Sequence, residues 1–428
     1  MSHKRALLLE SARTGAWLDR ERLRAYPAIF LGLFVLIGVA ALVTGDGVRD
    51  GFGNNPLGTD FLSFYAASEL LMDGRPEAAY DHAALKAIQD SIADDSPLYT
   101  WLYPPIAFFV VAPLSLVPYL PALLLWLGIT FSAYVAALWK ILPDRRALVP
   151  MAAFPAVFLT VGHGQNSFLS AALLGWGLVL LRRHPWLAGS ILGLLIYKPQ
   201  LGLLLPVAFI ASKNWRAFLS TGTAAALWSA LSYWTFGKSA WQAYMDKSSF
   251  SWEVLEQGLV SWSKMVSAFP AVRLLGGPIP LAWTLQTVVS LIAVVTVWRL
   301  WHSSASTPLK IAALATGTLL ATPFALDYEA TLIGLALAAY VKDGLDQGFL
   351  SWEKTVLAAI WVLPLLWRTV ATGTSIPLGT ITILALLLAL IRRYSVLSSR
   401  SSGHRPASQR FFLARRPGIA GARRTTKG

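Results

Sequence analysis

The sequence predicts an all-α fold, a polytopic transmembrane helical bundle with about twelve membrane segments. Three observations carry that prediction. Of the 428 residues, 55% are hydrophobic and only 14% charged, where a soluble chain carries roughly 25% charged residues. Apolar runs such as "FLGLFVLIGVAALVTG" and "LGTITILALLLALI" leave almost nothing polar to face water. Between the runs, basic turns alternate with acidic or neutral ones, as the bias of cytoplasmic loops toward Lys and Arg requires.

The ends of the chain come first. Before Tyr26 there are six basic residues (Lys4, Arg5, Arg13, Arg20, Arg22, Arg24) and three acidic ones (Glu10, Asp19, Glu21). After Ile391 there are ten basic residues and no acidic one. The tails carry +3 and +10, which leaves +1 for everything between them in a net charge of +14. Charge placed this way suits cytoplasmic retention and contact with anionic membrane lipids better than nucleic-acid binding. Residues 1–26 are therefore read as a basic cytoplasmic tail and 27–391 as the transmembrane unit. Residues 392–428 form a second basic cytoplasmic tail, whose Arg/Ser-rich composition after Tyr394 predicts disorder. Pro27 to Thr44 is longer than the apolar part of a secretory signal and reads as a retained signal anchor. Cysteine is absent, which excludes disulfides, thiol nucleophiles and Cys-ligated metals. The carboxylates form no recognisable metal-binding motif, so neither a metal nor a cofactor is expected.

With both termini inside, the basic turns "KILPDRR", "RRHP", "SKNWR", "RLWHSSASTPLK" and "KDGLDQ" face the cytoplasm of a multi-pass cell-membrane protein. The opposite face receives residues 45–103, "GHGQN" (162–166), "YKPQ" (197–200), residues 237–279, "ALDYE" (325–329) and "RTVATGTS". The first of these loops holds ten acidic and three basic residues, a net of −7. Two stretches are too short for their task, given about 20 residues per span. Ile106 to Pro118 reads as a re-entrant piece. Trp186 to Ala211 must go out and back, so its apex at "YKPQ" is expected below the surface, where irregular backbone is tolerated among helices.

Ionisable groups at the ends of apolar runs are functional candidates, because charge is costly in a bilayer. Here Asp60, His163, Gln165, Asn166, Lys198, Asp327 and Glu329 all map to the outer face. In "TDFLSFYAASELLMDG", Thr59 or Asp60 can cap a helix whose apolar positions recur at three and four residues, with Gly74 ending it. That helix is expected to lie along the interface, apolar side down. A capping role for Asp60 does not exclude a chemical one. Tyr103 precedes two prolines that hold the backbone extended at the water boundary. "GHGQN" is either a polar turn or a reader of sugar hydroxyls. Lys198 either snorkels to the surface or binds an anion.

In this order and spacing, "GTDFLSFYAA", "GRPEAAYD", "YPPIAFFVVAPLSLVP", "GHGQNSFLSAALL" and "AGSILGLLIYKPQLGLLLP" resemble the polyprenyl-phosphate-dependent glycosyltransferases of family 87, within the GT-C superfamily. The resemblance covers about Gly58 to Pro206. It implies a GT-C-like membrane enzyme whose first outer loop carries the catalytic acid, here Asp60. It also implies a polyprenyl-phosphate sugar donor, inverting transfer of mannose, another hexose or a pentose, and a cell-envelope glycan or glycolipid acceptor outside the cytoplasm. "GRPEAAYD" departs from the more usual Gly-x-Pro-Tyr pattern. Within that scheme Lys198 is assigned to the donor phosphate, and Tyr65, Tyr103, His163, Gln165 and Asn166 to sugar or acceptor. Asp327 and Glu329 stand as secondary acids. A transporter or lipid flippase is the competing reading. It calls for charges near the midplane between inverted repeats, whereas these charges collect at one rim.

The topology is directly testable in a chain without cysteine. A single cysteine at position 53 should react with a membrane-impermeant thiol reagent in intact cells; labelling only after lysis would reverse the map.

Overall fold

Proline and glycine cut the apolar sequence into shorter pieces than its hydropathy suggests. The computed structural model describes residues 3–403, and all its regular elements are helical. Among the described residues, strand-like pairing is limited to isolated bridges between Arg49 and Pro56 and between Met265 and Leu326. Four helices are long and apolar enough to cross a membrane: Arg20–Thr44, Tyr119–Ile141, Ile279–His302 and Leu378–Arg400. Two bent pairs raise the total to as many as six. Arg145–Ala152 joins Pro155–His163 at 47°, and Glu353–Leu365 joins Trp367–Thr374 at 69°.

The expected dozen segments are thus not met by length and composition. Several of the missing spans are shorter apolar helices, such as Ser167–Leu180, Pro185–Tyr197, Pro199–Ala211 and Thr307–Ala321. The physical reason is local. Pro155, Pro185, Pro199 and Pro206 each withhold a backbone donor, so helices begin at or near them instead of running through.

Ser167–Leu180 and Thr307–Ala321 are buried along most of their length, whereas Pro185–Tyr197 and Pro199–Ala211 keep Trp186, Leu187 and Leu203 exposed. The main core is built from Tyr119–Ile141, Ser167–Leu180, Ile279–His302, Thr307–Ala321, Thr331–Gln347 and Leu378–Gly403. Thr307–Ala321 and Thr331–Gln347 lie at its centre, buried along most of their length. Small residues such as Ala312, Ala313, Ala315 and Gly317 let neighbouring backbones approach there. Arg20–Thr44 is the opposite case, with Pro27 buried and the rest of the helix exposed or half-exposed. An all-apolar helix exposed to this extent suits a lipid environment.

The first large loop has a core of its own. Phe61–Met72 does not lie half-exposed along an interface. Leu62, Ala66, Ala67 and Leu70 are buried together with Phe61, Phe64 and Tyr65, so protein surrounds the helix. Gly74 does end it, at φ +73°, with the Gly74 and Arg75 amides reaching back to the Leu71 and Leu70 carbonyls. The next helix, His82–Ile92, is capped by Asp81, which accepts from the Ala83 and Ala84 amides at 2.8 and 3.0 Å. Those two donors hold the Asp81 carboxyl below the usual carboxylate range. Gln89 then clamps the returning strand of coil, bonding both the amide and the carbonyl of Tyr99.

The stretch 237–279, expected as a second large loop, begins as helix. Trp215–Gln257 breaks at Gly237, where φ 81° and ψ 171° interrupt the helical path. Beyond the break it leans on the first loop, with Tyr244 against Tyr80 and Phe250 against His82. The hairpin apex at "YKPQ" is buried as the sequence requires, with Tyr197 2% and Lys198 5% exposed. At the C-terminus the last helix continues past Ile391 to Gly403. The disorder expected after Tyr394 is therefore not met up to Gly403, because the last helix carries through that stretch; the rest of that expectation, residues 404–428, lies outside the described residues.

Away from "YKPQ", at the far end of Thr331–Gln347, a second buried charge cluster ties three helices together. Arg393, fully buried, donates to Asp343 at 2.5 Å and to Glu353 at 2.7 Å. Tyr340 and the Leu350 amide complete the Glu353 carboxylate, and Ser306 and Gln347 complete Asp343. Replacing Arg393 with Met leaves two acids buried without a counter-charge, at a cost of about 3–5 kcal/mol. Unfolding of the purified variant in a denaturing detergent series should show that loss; a change below about 1 kcal/mol would reduce the cluster to a surface-like pair.

Candidate active site

Two glycines bring the site together. Gly58 and Gly164 both have positive φ, +64° and +60°. A Cβ on Gly164 would stand 2.5 Å from the Phe61 Cβ and 3.2 Å from the Gly58 Cα. The "GTD" turn and the "GHGQN" turn therefore touch backbone to backbone, as only glycine permits. The Asp60 amide donates to the His163 carbonyl at 3.0 Å, and the Trp126 indole donates to the Gly164 carbonyl at 3.1 Å.

This contact redirects the side chains. Asp60 precedes Phe61–Met72, yet its carboxylate makes no capping bond. The Thr59 hydroxyl is taken by His163 Nδ1 at 2.7 Å. Neither residue is the side-chain cap that the sequence allowed, because both reach across to the facing turn. The Asp60 Oδ2 instead accepts from Gln165 Nε2 at 2.9 Å. Its Oδ1 has no hydrogen-bond partner among the described residues.

Two chains of polar contacts spread from there. Along the rim, Arg368 Nη2 lies 3.0 Å from His163 Nε2 and 2.7 Å from Asp327 Oδ2. A guanidinium has only donors, so His163 Nε2 must accept and Nδ1 carries the proton toward Thr59. Asp327 is positioned by the extended stretch before it, where the Val266 amide donates to the Ala325 carbonyl at 2.9 Å.

Deeper in, Gln165 Oε1 accepts from the Asn166 amide at 3.0 Å and from the Tyr103 hydroxyl at 3.4 Å. The Lys198 ammonium sits 5.7 Å from the ring centres of both Tyr103 and Tyr328. It is ion-paired with Glu329, each side chain being 6% exposed. Tyr80 of "GRPEAAYD" supports this floor by donating to the Tyr103 carbonyl at 2.8 Å. Burial raises the Tyr103 phenol above its ordinary value, which keeps it a donor.

The structure thus gathers Asp60, Tyr103, His163, Gln165, Asn166, Lys198, Asp327 and Glu329 at one end of the bundle. Tyr65 is not among them. Its hydroxyl donates to the Val117 carbonyl at 3.0 Å, and its ring packs on Phe61 and Tyr119. The premise for Lys198 also changes: the ammonium has its own counter-ion in Glu329. Sequence reasoning missed Arg368, although an arginine at the end of the apolar run "WVLPLLW" was a visible signal. Three buried acceptors of this region, Asn166 Oδ1, Asp327 Oδ1 and Glu329 Oε2, have no partner among the described residues. No group of three or more His, Asp or Glu side chains among the described residues is placed to hold a metal ion.

An all-helical bundle with membrane-compatible helices and an acid, amides and paired charges at one end defines a membrane-enzyme architecture. A sequence profile of glycosyltransferase family 87 matches residues 101–323, just over half of the chain, and the protein belongs to that family. It is a glycosyltransferase. The matched span includes Tyr103, the "GHGQN" turn and Lys198, and stops short of Asp327 and Arg368. No curated protein and no solved structure matches the chain.

The Lys198 and Glu329 pair makes a distinct prediction for stability. Lys198→Met strands a buried carboxylate and should cost about 3–5 kcal/mol. Adding Glu329→Gln should recover much of that loss, because the two residues share one interaction. Equal stability of the single and double variants would mean that the ion pair does not organise the floor.

Proposed function

We propose that this family 87 enzyme transfers a sugar, with inversion, from a polyprenyl-phosphate donor to a cell-envelope glycan or glycolipid on the extracytoplasmic side, with Asp60 as the general base. Mannose is the sugar we expect, ahead of other hexoses and pentoses. One observation carries the assignment of the base. Of the three acids that the sequence singled out, Asp327 is bound to Arg368 and Glu329 to Lys198, while Asp60 is held only by the neutral amide of Gln165.

The chemistry follows from that difference. A carboxylate bound to a cation is already committed to a charged hydrogen-bond partner. Asp60 keeps one oxygen free and is only partly buried. In the proposed step, the acceptor hydroxyl gives its proton to Asp60 as its oxygen bonds to the anomeric carbon. The bond from that carbon to the donor phosphate breaks, and its electron pair leaves on the phosphate oxygen. Gln165 orients the carboxylate without neutralising it. The partnerless acceptors Asn166 Oδ1 and Glu329 Oε2 and the Tyr103 hydroxyl suit a ligand rich in hydroxyl groups.

The outer placement is supported by the acidic first loop facing basic turns on the other side. A lipid-linked donor would bring its sugar to the membrane surface there.

Asp60→Asn keeps the size of the side chain, and no cap is lost, so the variant should fold and insert. Membranes carrying it should transfer labelled sugar from polyprenyl-phosphate mannose at least about 100-fold more slowly than wild type. Near-normal transfer would remove Asp60 from the mechanism.

A further inference from the structure

The rim cation that the sequence reading missed is better placed for a ligand than the buried one it chose. Pro364 sits in the turn Leu363–Leu365, where the chain bends before Trp367–Thr374. The bend delivers Arg368 into the first turn of that helix. A cation there opposes the helix dipole, so the helix itself gains nothing from it.

The donors of Arg368 are only partly used. Nε and Nη2 both go to a single oxygen, Asp327 Oδ2, at 2.9 and 2.7 Å, and the other Nη2 hydrogen goes to His163 Nε2 at 3.0 Å. Nη1 has no partner among the described residues, on a side chain that is 34% exposed. Lys264 reinforces the same rim. Its turn, Trp262–Lys264, packs on Trp367–Thr374, and its charge is close enough to act on His163. No carboxylate lies within ion-pairing distance of Lys264 among the described residues.

We infer that Arg368 holds the phosphate of the donor, presenting its unused Nη1 edge, with Lys264 adding charge beside it. This inference rests on the glycosyl-transfer reading above. As the sugar leaves, the phosphate changes from a singly charged diester to a doubly charged monoester. Both cations have a carboxylate partner, but the planar guanidinium keeps an exposed Nη1 edge that can give the growing charge short, charge-assisted hydrogen bonds, whereas the Lys198 ammonium is buried. The contacts from Arg368 through His163 to Thr59 fix the clasp relative to the neighbouring Asp60, so base and leaving group are spaced by one hydrogen-bonded chain.

The test is calorimetric binding of polyprenyl phosphate and of polyprenol to the full chain in neutral-lipid nanodiscs. Wild type should prefer polyprenyl phosphate. Arg368→Gln should weaken polyprenyl phosphate by ~10-fold or more while leaving polyprenol binding unchanged, and Arg368→Lys should fall between. If Arg368→Gln does not fold because Asp327 is stranded, Arg368→Gln with Asp327→Asn carries the same comparison. Wild-type affinity for polyprenyl phosphate in either folded variant overturns the inference. So does a loss found only when Lys198 and Glu329 are changed together. A wild-type protein that binds polyprenol and polyprenyl phosphate equally overturns the donor reading itself, which is a separate result.

Discussion

Charge in an apolar bundle must be neutralised, and that constraint organises this protein. Lys198 meets Glu329, Arg368 meets Asp327, and Arg393 meets Asp343 and Glu353. Each pair joins segments far apart in the chain, so every one acts as a tertiary staple as well as a local charge balance. Asp60 departs from the pattern. It lies among the paired groups but has an amide for its partner, at the place where two glycine turns meet. A carboxylate kept free beside others that are committed suits the proton transfer proposed for Asp60, which is only partly buried and stays in reach of water.

The two ends of Thr331–Gln347 show the same constraint used differently. Near its start, Asp327 and Glu329 face a half-open rim and a tyrosine-lined floor. Near its other end, Asp343 is closed off and its oxygens are fully bonded. A satisfied network fixes how helices pack. The oxygens left without a partner at the opposite end, Asp327 Oδ1 and Glu329 Oε2, are where the proposed sugar ligand would complete the bonding.

Much of this was legible in the sequence. Asp60, His163, Gln165, Asn166, Lys198, Asp327 and Glu329 could be assigned to one end because basic turns fixed which connections share a face. Pro199 made a buried apex at "YKPQ" unavoidable in so short a hairpin. Gly74 announced the end of its helix. What escaped was tertiary. Nothing local to Lys198 reveals Glu329 across 131 positions, and Asp60 looks like a helix cap until the Gly58 and Gly164 contact turns it toward Gln165. Tyr65 recurs at the helical period expected of a site-facing ring, but Phe61–Met72 is buried around most of its circumference, so periodicity could not say which face is functional. The dozen expected segments are not confirmed, because proline divides several apolar runs into helices too short to count as spans by length and composition.

The central claim is that a single uncommitted carboxylate activates the acceptor while the donor phosphate departs from the opposite side of the sugar. The anomeric configuration of the product tests it most directly. Product formed by the purified protein from a polyprenyl-phosphate sugar of known configuration can be read by the one-bond carbon–hydrogen coupling at the anomeric centre. Inversion is the predicted result. Retention would require either a second displacement on the enzyme or attack from the face the phosphate leaves, and either would contradict the role given to Asp60.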